Sequence, residues 1–228
     1  MKTSNKLLLI FFITLVSLML ISDTILWSNA KRGVYGENIF GQREEDNLSR
    51  TNAPLQPFKV IKVETHEEQW WVNVTLAGKY AVSNFSMKDS ALASFRQVGD
   101  TLILHPIRAD RDRLINVYCP EFTTLILEDN TKATVSLFNQ SQFTVRAGEK
   151  CVVNLSSTKF RSLDLRGGKQ SAVVFNYGCE IDTLHMALGK GSDFRSNDVP
   201  FKQVDMEMDE WAVFSVDGRS IPAMKQVK

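Results

Sequence analysis

The chain has no excess of either charge. Its 27 Lys and Arg residues stand against 26 Asp and Glu, for a net charge of +1, and no basic block breaks the balance. A nucleic-acid partner calls for a cationic stripe, so nothing points to nucleic acid. Histidines number three, and no group of three or four ligands stands at metal spacing. No glycine-rich phosphate loop follows a strand, and no nucleophile elbow supplies a serine. The sequence thus implies no cofactor, no metal and no catalytic set. Cysteines are few and odd in number: Cys119, Cys151 and Cys179.

What is present is a repeat. From Glu121 to Ser220 one unit of about twenty residues recurs five times. Each row opens on an alternating apolar pair: Leu125/Leu127, Phe143/Val145, Leu163/Leu165, Leu184/Met186 and Val204/Met206. The first members step by 18, 20, 21 and 20 residues. A second apolar cluster follows each pair: Ala133/Val135, Cys151/Val153, Val173/Phe175, Phe194 and Val213. Alternation with period two buries one face of a short strand. One such strand cannot bury its face alone. Stacking rows at about 4.8 Å places Leu125, Phe143, Leu163, Leu184 and Val204 in one interior column. Gly and polar residues fall between strands, as at Arg166-Gly167-Gly168-Lys169 and Leu188-Gly189-Lys190-Gly191. The pattern predicts an all-β fold, a single-stranded parallel β-helix (β-solenoid) with coils of about twenty residues, in preference to an antiparallel sandwich.

Four segments follow from the same reading. Residues 1–30 form an N-terminal transmembrane or signal helix: Lys2 and Lys6 precede an apolar run from Leu7 to Ile21, and Ile25-Leu26-Trp27 follow. As an anchor, Leu7 to Trp27 spans about 31 Å of helix, enough to cross a bilayer. As a signal peptide, the segment is cut near Ala30. Both readings place the rest of the chain outside the cytoplasm. Residues 31–57 are a polar stalk stiffened by Pro54 and Pro57, residues 58–218 the β domain, and residues 219–228 a tail. Within the domain, Phe58 to Glu64, Gln69 to Leu76, Lys79 to Phe85, Thr101 to Ile107 and Leu114 to Tyr118 read as strands, and Met87 to Gln97 as a helix.

The layout of Phe58-x-x-Ile61-x-Val63, Trp71-Val72-Asn73-Val74 and Gly99-Asp100-Thr101-Leu102-Ile103-Leu104, followed by the rows, resembles the auto-transporter adhesin head (GIN) domain family of bacterial envelope proteins. The likeness covers about residues 58–218. Bulky Phe175, Phe194 and Trp211 depart from the small residues usual at the second strand of each row. The resemblance implies an extracytoplasmic β-solenoid able to self-associate, and it transfers no catalytic residue.

Several positions are candidates for function. In-register stacking sets Asp164, His185 and Asp205 outward on successive coils, a ladder suited to an acid–base or ligand-binding face, or simply to solvent. Trp71 either faces outward, where it can stack on a sugar or enter a partner pocket, or packs beneath a loop. The alternating charges from Arg108 to Arg113 read as an exposed loop. The second strands are apolar on both sides, around Val152, Val174 and Trp211, which suggests cover by another part of the chain or by a second copy. Cys119 and Cys179 sit three coils apart, about 14 Å, too far for a disulfide. At least two buried thiols are expected.

The expected function is a non-enzymatic, membrane-tethered binding, adhesion or scaffolding module of the cell envelope. Its partners would be the membrane, a polysaccharide or envelope protein, and a second copy. The alternative is a carbohydrate-active lyase-like enzyme using Asp164, His185, Asp205 or the Arg108–Arg113 loop.

Overall fold

The computed structural model describes Ser17, Met19, Asp23 and residues 55–64, 70–84, 93–106, 114–209 and 213–221. The chain divides into two compact units, Met1–Arg50 and Thr51–Lys228. In the first, the three described residues are exposed. Among the described residues no helix is long and apolar enough to cross a membrane. The expected transmembrane or signal helix over residues 1–30 therefore finds no support, and most of that segment lies outside the described residues.

The second unit is all-β. Its strands are β1 (Val60–Val63), β2 (Trp70–Leu76), β3 (Ala81–Asn84), β4 (Ala93–Val98), β5 (Thr101–Pro106), β6 (Leu114–Cys119), β7 (Thr124–Leu127) and β8 (Thr131–Ser136). They continue as β9 (Asn139–Ala147), β10 (Val152–Ser156), β11 (Lys159–Gly167), β12 (Ala172–Phe175), β13 (Glu180–Leu188), β14 (Asp193–Asn197), β15 (Phe201–Met208) and β16 (Val213–Asp217). They divide between two sheets of eight. Sheet A runs β15-β13-β11-β9-β7-β1-β5-β4, and sheet B runs β16-β14-β12-β10-β8-β2-β6-β3. Pairing is parallel except for β4 against β5 and β3 against β6.

This corrects the single-stranded parallel β-helix. The two apolar clusters of each row, about ten residues apart, go to different sheets, so the fold is two mixed, mostly parallel sheets and not a closed β-solenoid. The inward residues of both sheets make one hydrophobic cluster. Phe122, Phe138, Phe143 and Phe160 form a chain of ring contacts within it, with centroids about 5 Å apart. Phe175, Phe194 and Phe214 form another, with both spacings 5.3 Å.

The register confirms most of the expected column and shifts one end. Phe143, Leu163, Leu184 and Val204 are consecutive partners. Leu125, however, lies beside Val145, a step of 20. The apparent step of 18 arose from pairing Leu125 with the wrong apolar residue of the next strand; the ring of Phe122 is the one that meets Phe143. The helix expected over Met87 to Gln97 is also overturned where it is described. Ala93–Val98 is a strand, and Phe95 pairs with Leu104. A hairpin forms there because Gly99, at φ 60°, makes a two-residue turn with Asp100. Strand pairing outweighs the local helical spacing.

Between strands, the rows turn at matched positions. Asn130, Lys150 and Gln170 have φ of 62°, 56° and 56°, and Gly191 follows at 72°. At the opposite corner Leu137, Ser157, Gly178, Asp198 and Gly218 do the same. Small polar residues seal the first corner from inside. Thr131 Oγ1 and Cys151 Sγ donate to the Glu128 carbonyl at 2.8 and 3.1 Å, Ser171 Oγ to that of Gly148 at 2.9 Å, and Ser192 Oγ to that of Gly168 at 3.1 Å. All three cysteines are free and buried. Burial pushes the Cys119 thiol up to about 12 and raises that of Cys151.

Three outcomes follow. A branched apolar side chain at φ 72° is strained, and Leu137 is 54% exposed. Leu137→Gly should raise stability by up to ~1 kcal/mol in urea titration, because the strain it relieves exceeds the small contact it loses; Phe175→Ala should lower it by ~3–5 kcal/mol. The thiols should resist iodoacetamide in the native protein and all three should react in denaturant, read by intact mass.

Candidate functional site

A parallel sheet turns a sequence repeat into columns on its outer faces. On sheet A, one column reads Val60, Thr124, Thr144, Asp164, His185 and Asp205. The expected ladder of Asp164, His185 and Asp205 is therefore formed. The His185 Nδ1 lies 3.5 Å from Asp205 Oδ2, and Asp164 Oδ1 lies 3.7 Å from Arg166 Nε. All of these side chains are well exposed, so each pair is a loose surface contact. No group of three or more His, Cys, Asp or Glu that could hold a metal occurs among the described residues.

Two residues along each strand lies a second column: Ile103, Lys62, Ile126, Arg146, Arg166, Ala187 and Glu207. Arg146 and Arg166 stand side by side in it. They line an open groove of about 520 Å³ with Ile126, Leu127, Ala147, Gly148, Gly167 and Gly168. The sequence reading missed this pair, although a spacing of twenty, the row length, already put both on one column.

Sheet B carries the remaining expected residues. Trp70 is buried and Trp71 faces outward, 48% exposed. The expectation that Trp71 packs beneath a loop is thus replaced by its outward alternative. The Lys132 ammonium sits 3.9 Å from the ring centroid. Its place is set by register: Leu114, Trp71, Lys132, Val152, Ala172, Asp193 and Val213 form one column. Val174 lies in the neighbouring column, between Asn154 and Arg195. Val152 and Val174 are half-buried and outward. Trp71, Val152 and Val174 therefore share a face, and the Asp164–His185–Asp205 ladder lies on the other sheet. Trp211 and the Arg108–Arg113 stretch lie outside the described residues.

One polar cluster links β1, β5 and the end of β7 on sheet A. Lys62 Nζ donates to Glu64 Oε1 at 2.7 Å and lies 3.2 Å from Glu128 Oε1. His105 Nδ1 approaches Glu64 Oε2 at 2.8 Å. The hydrogen bond from Lys62 is the main cause holding the Glu64 carboxyl below its ordinary range, with His105 adding to it. A depressed carboxyl stabilises the fold above its unfolded pKa and loses that contribution as pH falls through the folded value. Glu64→Gln should therefore cost under ~1 kcal/mol at neutral pH. The cost should vanish in acid below the ordinary glutamate range, as read from thermal melts across pH.

No protein-family model and no curated protein matches this chain. Among solved structures, one from Bacteroides fragilis NCTC 9343, described as a candidate adhesin, is 11% identical with a TM-score of 0.50, covering 73% of this chain and 94% of that one. A second candidate adhesin, from Parabacteroides merdae ATCC 43184, is 11% identical over 73% of this chain and 95% of its own, with a TM-score of 0.41. A third, from Parabacteroides distasonis ATCC 8503 and described as a candidate lipid-binding protein, is 8% identical over 74% and 94%, with a TM-score of 0.37. Of these, the Bacteroides fragilis structure supports a likeness of fold, and of fold alone.

Proposed function

We propose that the protein is a non-enzymatic binding module of the bacterial envelope, exported from the cytoplasm and acting through its outer sheet faces. The observation that carries this reading is the exposed Trp71 on the flat face of sheet B, with Lys132 over its ring and Val152, Ala172 and Val174 nearby. An amphipathic ring on a rigid surface offers large contact area at little entropic cost. The scaffold suits this role. Outward side chains run in parallel columns, so they present a surface and do not converge on a reacting atom. The resemblance to adhesin head domains and the fold shared with the Bacteroides fragilis structure agree with it. The case for export rests on the sequence pattern alone, a basic start at Lys2 and Lys6 followed by an apolar run. The partner class is a polysaccharide or an envelope protein. The same apolar patch on sheet B also suits contact with a second copy.

The test uses the full chain and its Trp71→Ala, Val152→Lys and Val174→Lys variants. Binding to isolated envelope material should fall about tenfold or more in Trp71→Ala, the loss of one aromatic anchor. Light scattering should show a discrete oligomer that the two lysine variants dissolve. Turnover of a polysaccharide that is lost in His185→Gln would overturn the reading in favour of a lyase-like enzyme. Recovery of the protein in the cytoplasmic fraction would overturn the placement.

A further inference from the structure

The pair Arg146 and Arg166 is the one place on sheet A, among the described residues, where the ladder sets like charges side by side with nothing between them. Register puts them directly opposite each other, about 4.8 Å apart from strand to strand. Like charges in that position are destabilising. Elsewhere on the same face opposite charges meet: Lys62 lies beside Glu64 and Glu128, and Lys159 meets Glu180 at 2.8 Å. Arg146 makes no ion pair among the described residues, and Arg166 reaches only Asp164, at 3.7 Å, with 74% of its side chain exposed.

The surroundings leave room for a ligand. The groove beside the pair is lined by Ile126, Leu127, Ala147 and three glycines; the nearest carboxylates are that of Asp129, which lies against Gly148, and that of Asp164, 3.7 Å from Arg166. The glycines are fixed there by close stacking of rows. A Cβ on Gly168 would lie 2.8 Å from the carbonyl carbon and oxygen of Gly148. The wall next to the guanidiniums is therefore bare backbone. Beyond it, Lys169 and Lys190 add positive charge at the corner, offset in part by Glu149, 3.8 Å from Lys169.

We infer that this groove binds the carboxylates of an acidic glycan chain. Two planar guanidinium forks on adjacent rows can each take a carboxylate in two parallel hydrogen bonds. Ile126 and the glycine wall give a sugar ring an apolar, flat bed. The oxyanion chemistry stands on the groove alone, whereas the choice of a glycan as its carrier rests on the envelope-binding reading above. The site is on the opposite sheet from Trp71.

Calorimetry on the full chain, with an oligogalacturonate as probe, tests it. The oligomer should bind, more weakly as salt is raised, while its methyl ester should not. The variant Arg146→Gln/Arg166→Gln should lose about tenfold or more in affinity, the worth of a charge-assisted pair. Arg146→Lys/Arg166→Lys should fall between, since it keeps the charge and loses the fork. Thermal melting at or above that of the native chain would show that both variants are folded; if the glutamine variant melts early, the lysine variant alone decides. Equal binding by the ester, or by the glutamine variant, overturns the inference. Inorganic phosphate binding as tightly as the oligomer overturns the glycan and leaves a plain oxyanion site. Oligomer binding that survives in the arginine variants and fails in Trp71→Ala moves the glycan to sheet B, which sinks the groove and keeps the binding module. No binding of any acidic glycan sinks the groove while the Trp71 test stands on its own.

Discussion

Every feature of this structure depends on the in-register parallel ladder. Backbone hydrogen bonds between strands one row apart tie residue n to residue n + 20 or n + 21, as Leu163 to Leu184 and Leu184 to Val204. Such a ladder makes position the same as role. Inward columns must be apolar all the way, or one row opens a cavity beneath its neighbours. Corner columns must all reverse the chain, so Lys150, Gln170 and Ser157 accept a left-handed backbone that is unfavourable for them individually. A strained residue persists because the rows above and below already fix its backbone on both sides.

The corners show how a buried turn is kept satisfied. Each row leaves carbonyls that the strand ladder does not reach. Thr131, Cys151, Ser171 and Ser192 supply one small donor per row to meet them. At the other corner Ser220 donates to the Val199 carbonyl and accepts from the Val199 amide, both at 2.9 Å. Cys151 serves here as a small donor, which accounts for its burial at the corner. An odd count of thiols then needs no disulfide partner.

Much of this was legible in the sequence. The period and the inward columns followed from alternation around Leu163, Leu184 and Val204, and the ladder of Asp164, His185 and Asp205 followed from the same steps. What was lost has physical causes. Apolar periodicity says that a strand is half-buried but not which sheet it joins, so two clusters per row were read as one coil. Phe143 and Val145 are two residues apart and equally apolar, so the choice of partner for Leu125 was undetermined without the pairing itself. Ala93–Val98 has no strong preference of its own and is a strand because β5 is beside it. Trp71 alternates with Val72 and Val74 as any strand residue would, and only the absence of a covering layer over it makes the ring a surface feature.

The outer columns are the part of the ladder that packing leaves free. Inside, a substitution disturbs several rows; outside, it changes one rung. Where outer rungs pair opposite charges, as Lys159 with Glu180, the charges relieve each other and the column can serve solubility alone. Where they carry the same sign on neighbouring rungs, as at Arg146 and Arg166, the fold is made less stable by its own surface. The glycines beside the same two rungs, packed backbone against backbone, carry no side chain to reduce that repulsion. An anion reduces it. A ligand that supplies the missing negative charge at this pair would stabilise the folded protein as it binds, because it binds the folded state and relieves its repulsion.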